Sequence, residues 1–531
     1  MKRFTVLFTG AFLLMNTAFA GGILTNTNQS AQFVRMLSRN ASTDLDAVYF
    51  NPAGLTQFKD GFYFGLHNQS IFQNRTISSE FPLLNSSEYK GEVTAPAFPT
   101  AFALFKVDKL AISVGFGPNG GGGSAKYGTG LPSFEKLISS IPSGLTATKI
   151  PTTAYSTNIQ FEGSSVFWGT QLNGSYAIND VISVSAGVRV LIANNTYNGY
   201  LKDVKVNPNY PAFGASYTGS MVSATKFFAD GSTFLKGLAT NSTTASAGLS
   251  TAISGGVPAA TPLSSMPAAT VAAVTQLLGA AGISAAGMNI GTAAATLNVV
   301  AQAFTTNAAK MEANAVATAD KEVDTKQTGT GFTPMVGVNI HLDKLNVAVK
   351  YEMQTTLKLT NETVVDGTGL FKDGEETRSD LPAILSGGAD YKITDQLKAS
   401  GSFNLYFDKN VGWGKNVYGE DRTIDKNYLE LALGLEYQLS KTLAVSAGFL
   451  NSDTGVSEQY QSDFSYSNDS YTIGAGLQYK IGKKLVLDAG AMLTTYKDAS
   501  KTFTDATFGE YNETYGKDTF AFGIGLAYKI F

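Results

Sequence analysis

Short and long connections alternate strictly along this chain, and few folds have any use for such a rhythm. From Gly61 onward, strand-length runs with two-residue periodicity follow one another. In 181–193, Ile182, Val184, Ala186, Val188, Val190 and Ile192 share one face, while Ser183, Ser185, Gly187 and Arg189 share the other. In 428–437, Leu429, Leu431, Leu433 and Leu435 oppose Glu430, Ala432, Gly434 and Glu436, and 345–353 and 485–496 alternate likewise. Pairs of runs are joined by tight polar turns at 107–110, 178–181, 341–345, 392–397, 438–443 and 480–485. Between the pairs lie long polar stretches, expected as loops at 74–97, 118–164, 200–329, 361–380, 409–426, 451–469 and 498–517. A soluble sandwich also alternates along its strands but has no reason to order its connections this way. A transmembrane barrel does, with tight periplasmic turns at one rim and long extracellular loops at the other. The runs number about fourteen, and an even count returns both termini to the periplasm. The expected fold is therefore all-β: a transmembrane antiparallel β-barrel at 59–531 carrying an enlarged, helical extracellular loop at about 200–329.

Composition agrees. Charged residues are only 15% and hydrophobic residues 44%, with a mean hydropathy of +0.00. Strands that alternate lipid-facing and lumen-facing residues average to near neutrality, whereas a helical membrane protein would lie well above it. A formal charge of −3 argues against a nucleic-acid partner. There is no cysteine, hence no disulfide or thiolate site, and the two histidines, His67 and His341, are too far apart to suggest a metal centre. No metal, cofactor or catalytic residue is expected. There is no G-x-S-x-G nucleophile elbow, which leaves little room for an outer-membrane lipase or protease. Residues 1–20 read as a signal peptide: Lys2 and Arg3, an apolar run from Phe4 to Met15, then Ala18-Phe19-Ala20 as the cleavage site.

Several segments carry candidate function. Residues 21–58 lack strand alternation and contain a possible short helix at 29–38. Arg189 and Lys350 fall on the inward phase of their strands, where a cation could meet a ligand carboxylate or simply pair with another charge; inward Glu352 lies two residues from Lys350. The third strand is expected to end in a cluster that includes Gly115, Gly117, Pro118, Asn119 and Gly120. This spells G-x-G-x-x-G, but no helix follows, so a dinucleotide site is excluded and either a strand kink or a glycine-rich loop remains. In the long insertion, 268–281 and 292–310 read as Ala-rich helices, with Val274, Leu277 and Leu278 on the apolar face of one and Leu297, Val300 and Phe304 on that of the other.

The segment Asp-Ala-Val-Tyr-Phe-Asn-Pro-Ala-Gly-Leu-Thr-Gln-Phe at 46–58 resembles the entry segment of the FadL/TodX (OMPP1) family of outer-membrane transporters. Further marks follow in the family's order: Ala95-Pro96-Ala97-Phe98-Pro99-Thr100, expected to open the second strand, Asn173-Gly174-Ser175-Tyr176 before a tight turn, and Leu381-Pro382 before a later strand. The resemblance implies a monomeric barrel in the outer membrane of a Gram-negative bacterium. An N-terminal hatch, 21–58, would plug the lumen, and Asn51, Pro52, Ala53 and Gly54 would form its closing motif. It implies passive uptake of small hydrophobic molecules, long-chain fatty acids first among them. A loop groove including Leu277, Leu278, Val300 and Phe304 would capture the ligand, the lumen would bind it at Arg189 and Lys350, and a kink at Gly115, Gly117, Pro118, Asn119 and Gly120 would release it sideways into outer-membrane lipid. The other partner implied is the barrel-assembly machinery, to which the terminal strand 520–531 would be presented. The alternatives are a transporter of aromatic hydrocarbons or a porin for polar solutes, and the long loops leave room for an added receptor role.

Overall fold

In the computed structural model, which describes residues 25–412 and 420–531, fourteen antiparallel strands close into one barrel. The expected signal peptide lies outside the described residues. The strands are β1 (Gly61–Ser79), β2 (Glu88–Val107), β3 (Leu110–Tyr127), β4 (Tyr155–Ala177), β5 (Ile182–Val206) and β6 (Lys321–His341). Then come β7, in two segments (Leu345–Glu352 and Lys358–Asp366), β8, also in two (Glu376–Arg378 and Ile384–Lys392), β9 (Leu397–Tyr406), β10 (Tyr428–Gln438), β11 (Leu443–Asp453) and β12 (Ser470–Ile481). The last are β13 (Leu485–Tyr496, continued by Ala499–Asp505) and β14 (Gly509–Lys529), which closes the ring on β1 with Tyr63 opposite Lys529 and Ser79 opposite Glu513.

The outward face is the apolar one. Leu110, Ile112, Val114 and Phe116 on β3, Leu431, Leu433 and Leu435 on β10, and Phe520, Phe522, Ile524 and Leu526 on β14 are all exposed. A cross-strand pair recurs at the short-turn rim. The leucine that opens a strand after a tight turn faces the tyrosine near the end of a neighbouring strand: Leu110 with Tyr176, Leu345 with Tyr391, Leu397 with Tyr437, Leu443 with Tyr479, Leu485 with Tyr528. Tyrosines at one height, exposed and outward, form the interfacial aromatic girdle of a membrane barrel.

Towards the other rim the strands outrun the sequence expectation. β1 runs to Ser79 and β2 starts at Glu88, so most of 74–97 is strand; β3 continues to Tyr127 past the expected end at Gly117; β5 reaches Val206. About ten residues suffice to cross the bilayer. Above it the outward face meets water, as Asn74, Thr76 and Ser78 do on β1, and the hydrophobic alternation stops while the hydrogen-bonded ladder continues.

The described chain forms two units. The barrel strands gather with 25–136 in one; the other, 137–158 and 201–320, is mostly helical. Between β3 and β4 lie the short helices α3 (Pro132–Ser139) and α4 (Ile141–Ala147), and in the helical unit α5 (Ala224–Ser254), α6 (Ala268–Ala280) and α7 (Ile290–Ala317) share a core. α6 and α7 match the expected helices and α5 was missed. α5 and α7 are antiparallel: Ser232 donates to the Ala308 carbonyl and Ser246 to that of Ala294. Buried alanines at 294, 301, 308 and 315 repeat every seven residues on α7, which lets the two backbones approach closely.

Within the barrel unit, the N-terminal segment carries two short helices, α1 (Ala31–Arg35) and α2 (Ala47–Phe50), and is almost wholly buried. Ser30 caps α1 by accepting from the Phe33 amide. The segment fits because the inner wall is bare where it passes. A Cβ on Gly448 would lie 2.5 Å from the Leu37 amide nitrogen, one on Gly474 2.5 Å from the Val34 carbonyl oxygen, and one on Gly490 2.8 Å from the Arg35 nitrogen. Glycine in a strand here marks the close approach of another backbone.

Candidate functional site: an interrupted wall beside a filled lumen

A long break in the wall lies between β2 and β3. β2 and β3 pair from Val107–Leu110 up to Ala101–Phe116, and pairing resumes only at Glu92–Lys126. Local chemistry explains it. Pro96 and Pro99 stand within the unpaired part of β2 and have no N–H to donate. On β3, seven residues, 117 to 123, stand against five of β4, 165 to 169, so the strand bulges. Gly121 and Gly123 take φ of 95° and 71°, open only to glycine without strain. The bulge turns inward: Pro118, Asn119 and Gly120 are buried. The Pro118 carbonyl accepts from Gln29 at 2.7 Å and Asn26 at 3.1 Å, and the Asn119 carbonyl accepts from the Asn26 amide at 2.9 Å. The cluster that the sequence left open between kink and loop is a kink inside a strand. The Ala95–Thr100 motif, expected to open β2, lies in its middle and forms the opposite side of the break.

Below the break the N-terminal segment is bonded to many strands. Arg35 is fully buried and reaches Asp488 at 2.8 Å and Glu436 at 2.5 Å. Arg39 binds Asp46 and Asp44, both at 2.8 Å. Asn51 donates to the Asn339 side chain at 2.7 Å and to the Ser42 carbonyl at 3.3 Å. The Pro52 and Ala53 carbonyls accept from Ser175 and Ser183, and Gly54 sits where a Cβ would strike the Asn51 amide. Val48 O accepts from Gln171 and Asn173.

Arg189 and Lys350 come together, inward as their phase requires, around Glu352. Arg189 meets this carboxylate at 2.7 Å and Lys350 at 2.7 Å. Arg189 also holds Gln171, and Lys350 donates to the Tyr49 carbonyl. Both cations lie within 4.8 Å of the Tyr49 ring centre, at 4.8 and 4.7 Å. Burial pushes the Tyr49 phenol well above its usual range, so it stays neutral there. A narrow crevice adjoins this cluster, lined by Tyr49, Phe50, Lys350, Glu352, Ile384 and Asn404 among others. Tyr49 completes the cluster and was not singled out from sequence, whereas the Lys350–Glu352 spacing points to a pair. Leu277, Leu278, Val300 and Phe304 lie in a different unit, buried in the core shared by α5, α6 and α7.

Above the break, sequence reasoning missed an aromatic cluster. Ile77, Tyr89, Val93, Ala125, Tyr127, Phe161, Tyr197, Phe371 and Tyr515 form a buried core with Phe134, Phe464 and Tyr466. Val93 and Ala125 belong both to this cluster and to the edges of the break. The contributions come from strand tops and from connections far apart in sequence, which periodicity within one strand cannot bring together.

The described residues contain no group of three or more potential metal ligands, and no described helix is long and apolar enough to cross a membrane. The family model for outer membrane protein transport proteins (OMPP1/FadL/TodX) matches residues 281–530. A FadL homologue from Pseudomonas aeruginosa has a similar structure, with a TM-score of 0.58 and 13% identity over 97% of this chain and 100% of that one. The toluene transporter TodX of Pseudomonas putida gives 0.51 and 11% over 95% and 99%. At such identities the structures speak for the fold. A comparison with curated proteins found no match. The family match over residues 281–530, the closed fourteen-strand barrel and its lipid-facing belt agree: the chain is an outer-membrane β-barrel similar to the OMPP1/FadL/TodX transport proteins.

Proposed function

We propose that this barrel takes up long-chain fatty acids passively and releases them sideways through the break between β2 and β3. The observation that carries this reading is the break itself. It is bordered on the upper side by an aromatic cluster that suits hydrocarbon, while the lumen below is filled by residues 25–58. In this reading residues 1–20 are the signal peptide, 21–58 the hatch with Asn51–Gly54 as its closing turn, and 59–531 the barrel. The helical insertion, 200–329, makes the first contact with ligand. Since Leu277, Leu278, Val300 and Phe304 are buried in its core, they act by shaping the surface from within. Ligand then passes the aromatic cluster, and Gly115, Gly117, Pro118, Asn119 and Gly120 keep the exit open. Arg189 and Lys350 offer a lumen site for a head group once it displaces Glu352. A barrel with a filled lumen and paired charges is a poor porin. Aromatic hydrocarbons remain the second reading, favoured by the aromatic lining that the same route presents.

Deleting Asn119 and Gly121 would remove the two surplus residues of β3 and let it pair as a straight strand. Uptake of labelled palmitate into cells making this variant should fall to background while the barrel remains folded, as judged by its heat-dependent shift on a gel. Undiminished uptake would sink lateral release.

A further inference from the structure

The inward-facing cations of the barrel unit are nearly all matched with acids. Arg35 has Asp488 and Glu436, Arg39 has Asp44 and Asp46, Arg189 and Lys350 share Glu352, and Lys398 lies between Asp390 and Glu436. Two are not. Arg75 on β1 and Lys517 on β14 are direct cross-strand partners, and neither forms an ion pair with any described carboxylate. Both fall on the inward phase, with Ile77 and Tyr515 buried above them and Thr519 below, and both are half-buried, so a molecule in the lumen can reach them. Like charges set directly opposite on neighbouring strands repel. A half-buried cation pair without a counter-charge is costly unless an anion joins it.

The surroundings tell what kind of anion. Arg75 is steadied through Nε by the Gln73 side chain at 2.7 Å, and Gln73 in turn donates to Thr519 at 2.7 Å. The Tyr127 hydroxyl is a further neutral partner of the guanidinium, and one terminal nitrogen points at Gly122 of the β3 bulge, 3.4 Å from where a Cβ would be. Lys517 Nζ lies over Tyr496 and Tyr466, 4.5 and 5.8 Å from the ring centres. One step down β1, Gln73 is the cross-strand partner of Val93, where the unpaired part of β2 begins. The cation pair thus sits at the upper edge of the wall break, against the aromatic cluster.

We propose that Arg75 and Lys517 form an anion site at the exit, which holds the carboxylate of a fatty acid while its hydrocarbon tail enters the break. A guanidinium held only by neutral groups suits a planar carboxylate, and the ammonium beside it adds a second charge-assisted bond. This inference rests on the uptake reading above and sharpens it. A neutral aromatic hydrocarbon has no use for two unmatched cations at the exit, so the site selects acids.

The test uses full-length protein in micelles of a neutral detergent, with equilibrium dialysis against labelled palmitate and against hexadecanol, its neutral counterpart. The double variant Arg75→Gln/Lys517→Gln should lose palmitate affinity by roughly tenfold or more, since one lost charge-assisted interaction is already worth about that factor. Its hexadecanol affinity should stay the same. Lys517→Glu should give Arg75 an internal partner, lower palmitate affinity similarly and leave the thermal midpoint at or above wild type. Because each change relieves repulsion, loss of folding is not expected and would itself count against the site. Unchanged palmitate affinity in both variants would overturn the proposal, and so would retention of phosphatidylglycerol in place of palmitate. If the unaltered protein bound neither palmitate nor hexadecanol, the uptake reading would fall with it.

Discussion

Arg35 shows how single side chains hold the lumen shut. Its guanidinium is fully buried and reaches two acids on different strands, Asp488 on β13 and Glu436 on β10, while Ser446 on β11 accepts a third bond. Glu436 has Lys398 as a second partner, but without Arg35 Asp488 keeps only the amides of Gln32 and Gln478. Breaking a buried pair from one side costs about 3–5 kcal/mol, because the other charge is left without compensation. Arg35→Ala should therefore loosen the N-terminal segment by that order, and hydrogen exchange of 25–58 should quicken while the barrel strands stay protected. Exchange equal to wild type would show that glycine packing alone holds the segment. At this scale the sequence tells direction but not partner. Strand phase places Arg189 and Lys350 inward, and two-residue spacing suggests Lys350 with Glu352. Nothing local could match Asn51 with Asn339, which lie 288 residues apart.

The elements were legible where one physical rule covers their whole length. Within the bilayer, alternation, turn position and strand number follow from lipid on one face and lumen on the other. Beyond it the outward face meets water and only the inward face is buried, so β1, β2, β3 and β5 run on without the outward apolar stripe. α5 was hidden for a different reason: between Phe228 and Leu249 its buried residues are Gly231, Ser232, Ala239, Ser242 and Ser246, too small to mark an apolar stripe. The turn after β7 is an element whose chemistry is local enough to test. Asp366 accepts from the amides of Thr368, Gly369 and Phe371 and from the Thr368 hydroxyl, and so carries Phe371 into the aromatic cluster. Burial alone would raise the Asp366 carboxyl, but these donors more than offset it and hold it below the usual range. The stability it lends the turn is thus full above the unfolded value of about 3.9 and is lost as pH falls through the lower folded value. Asp366→Ala should cost the turn about 1.5–3 kcal/mol at neutral pH, the worth of hydrogen bonds to a charged group. Faster proteolysis of 366–375 in the variant at pH 7 would register this, and wild type should approach the variant's rate only in acid. Equal rates at neutral pH would mean that the aromatic cluster holds Phe371 without help from the turn.

For the whole molecule, the question is what keeps a barrel of this width closed. About eight strands leave an interior that side chains can fill, and sixteen leave an aqueous channel, so fourteen require a plug. The inner wall is fitted to the N-terminal segment backbone against backbone, with Gly448 against Leu37, Gly474 against Val34 and Gly490 against Arg35. A side chain at any of these positions displaces main chain, which cannot yield as a flexible side chain would. Gly448→Val or Gly474→Val should therefore leave the barrel strands intact, since valine favours strand geometry and neither glycine has a positive φ. The same changes should prevent the segment from seating. In planar bilayers the unaltered protein should conduct little, and either variant should show large ion-conducting openings, because the ladder of β1 to β14 no longer encloses a filled lumen. Gly401→Val is the control: its nearest neighbour would be the Leu433 side chain at 3.7 Å, an ordinary contact, and it should stay closed. If Gly448→Val and Gly474→Val both stayed closed as well, the polar bonds of Arg35, Asn51 and their neighbours would suffice to seat the segment, and the bare wall would be no more than a convenience of packing.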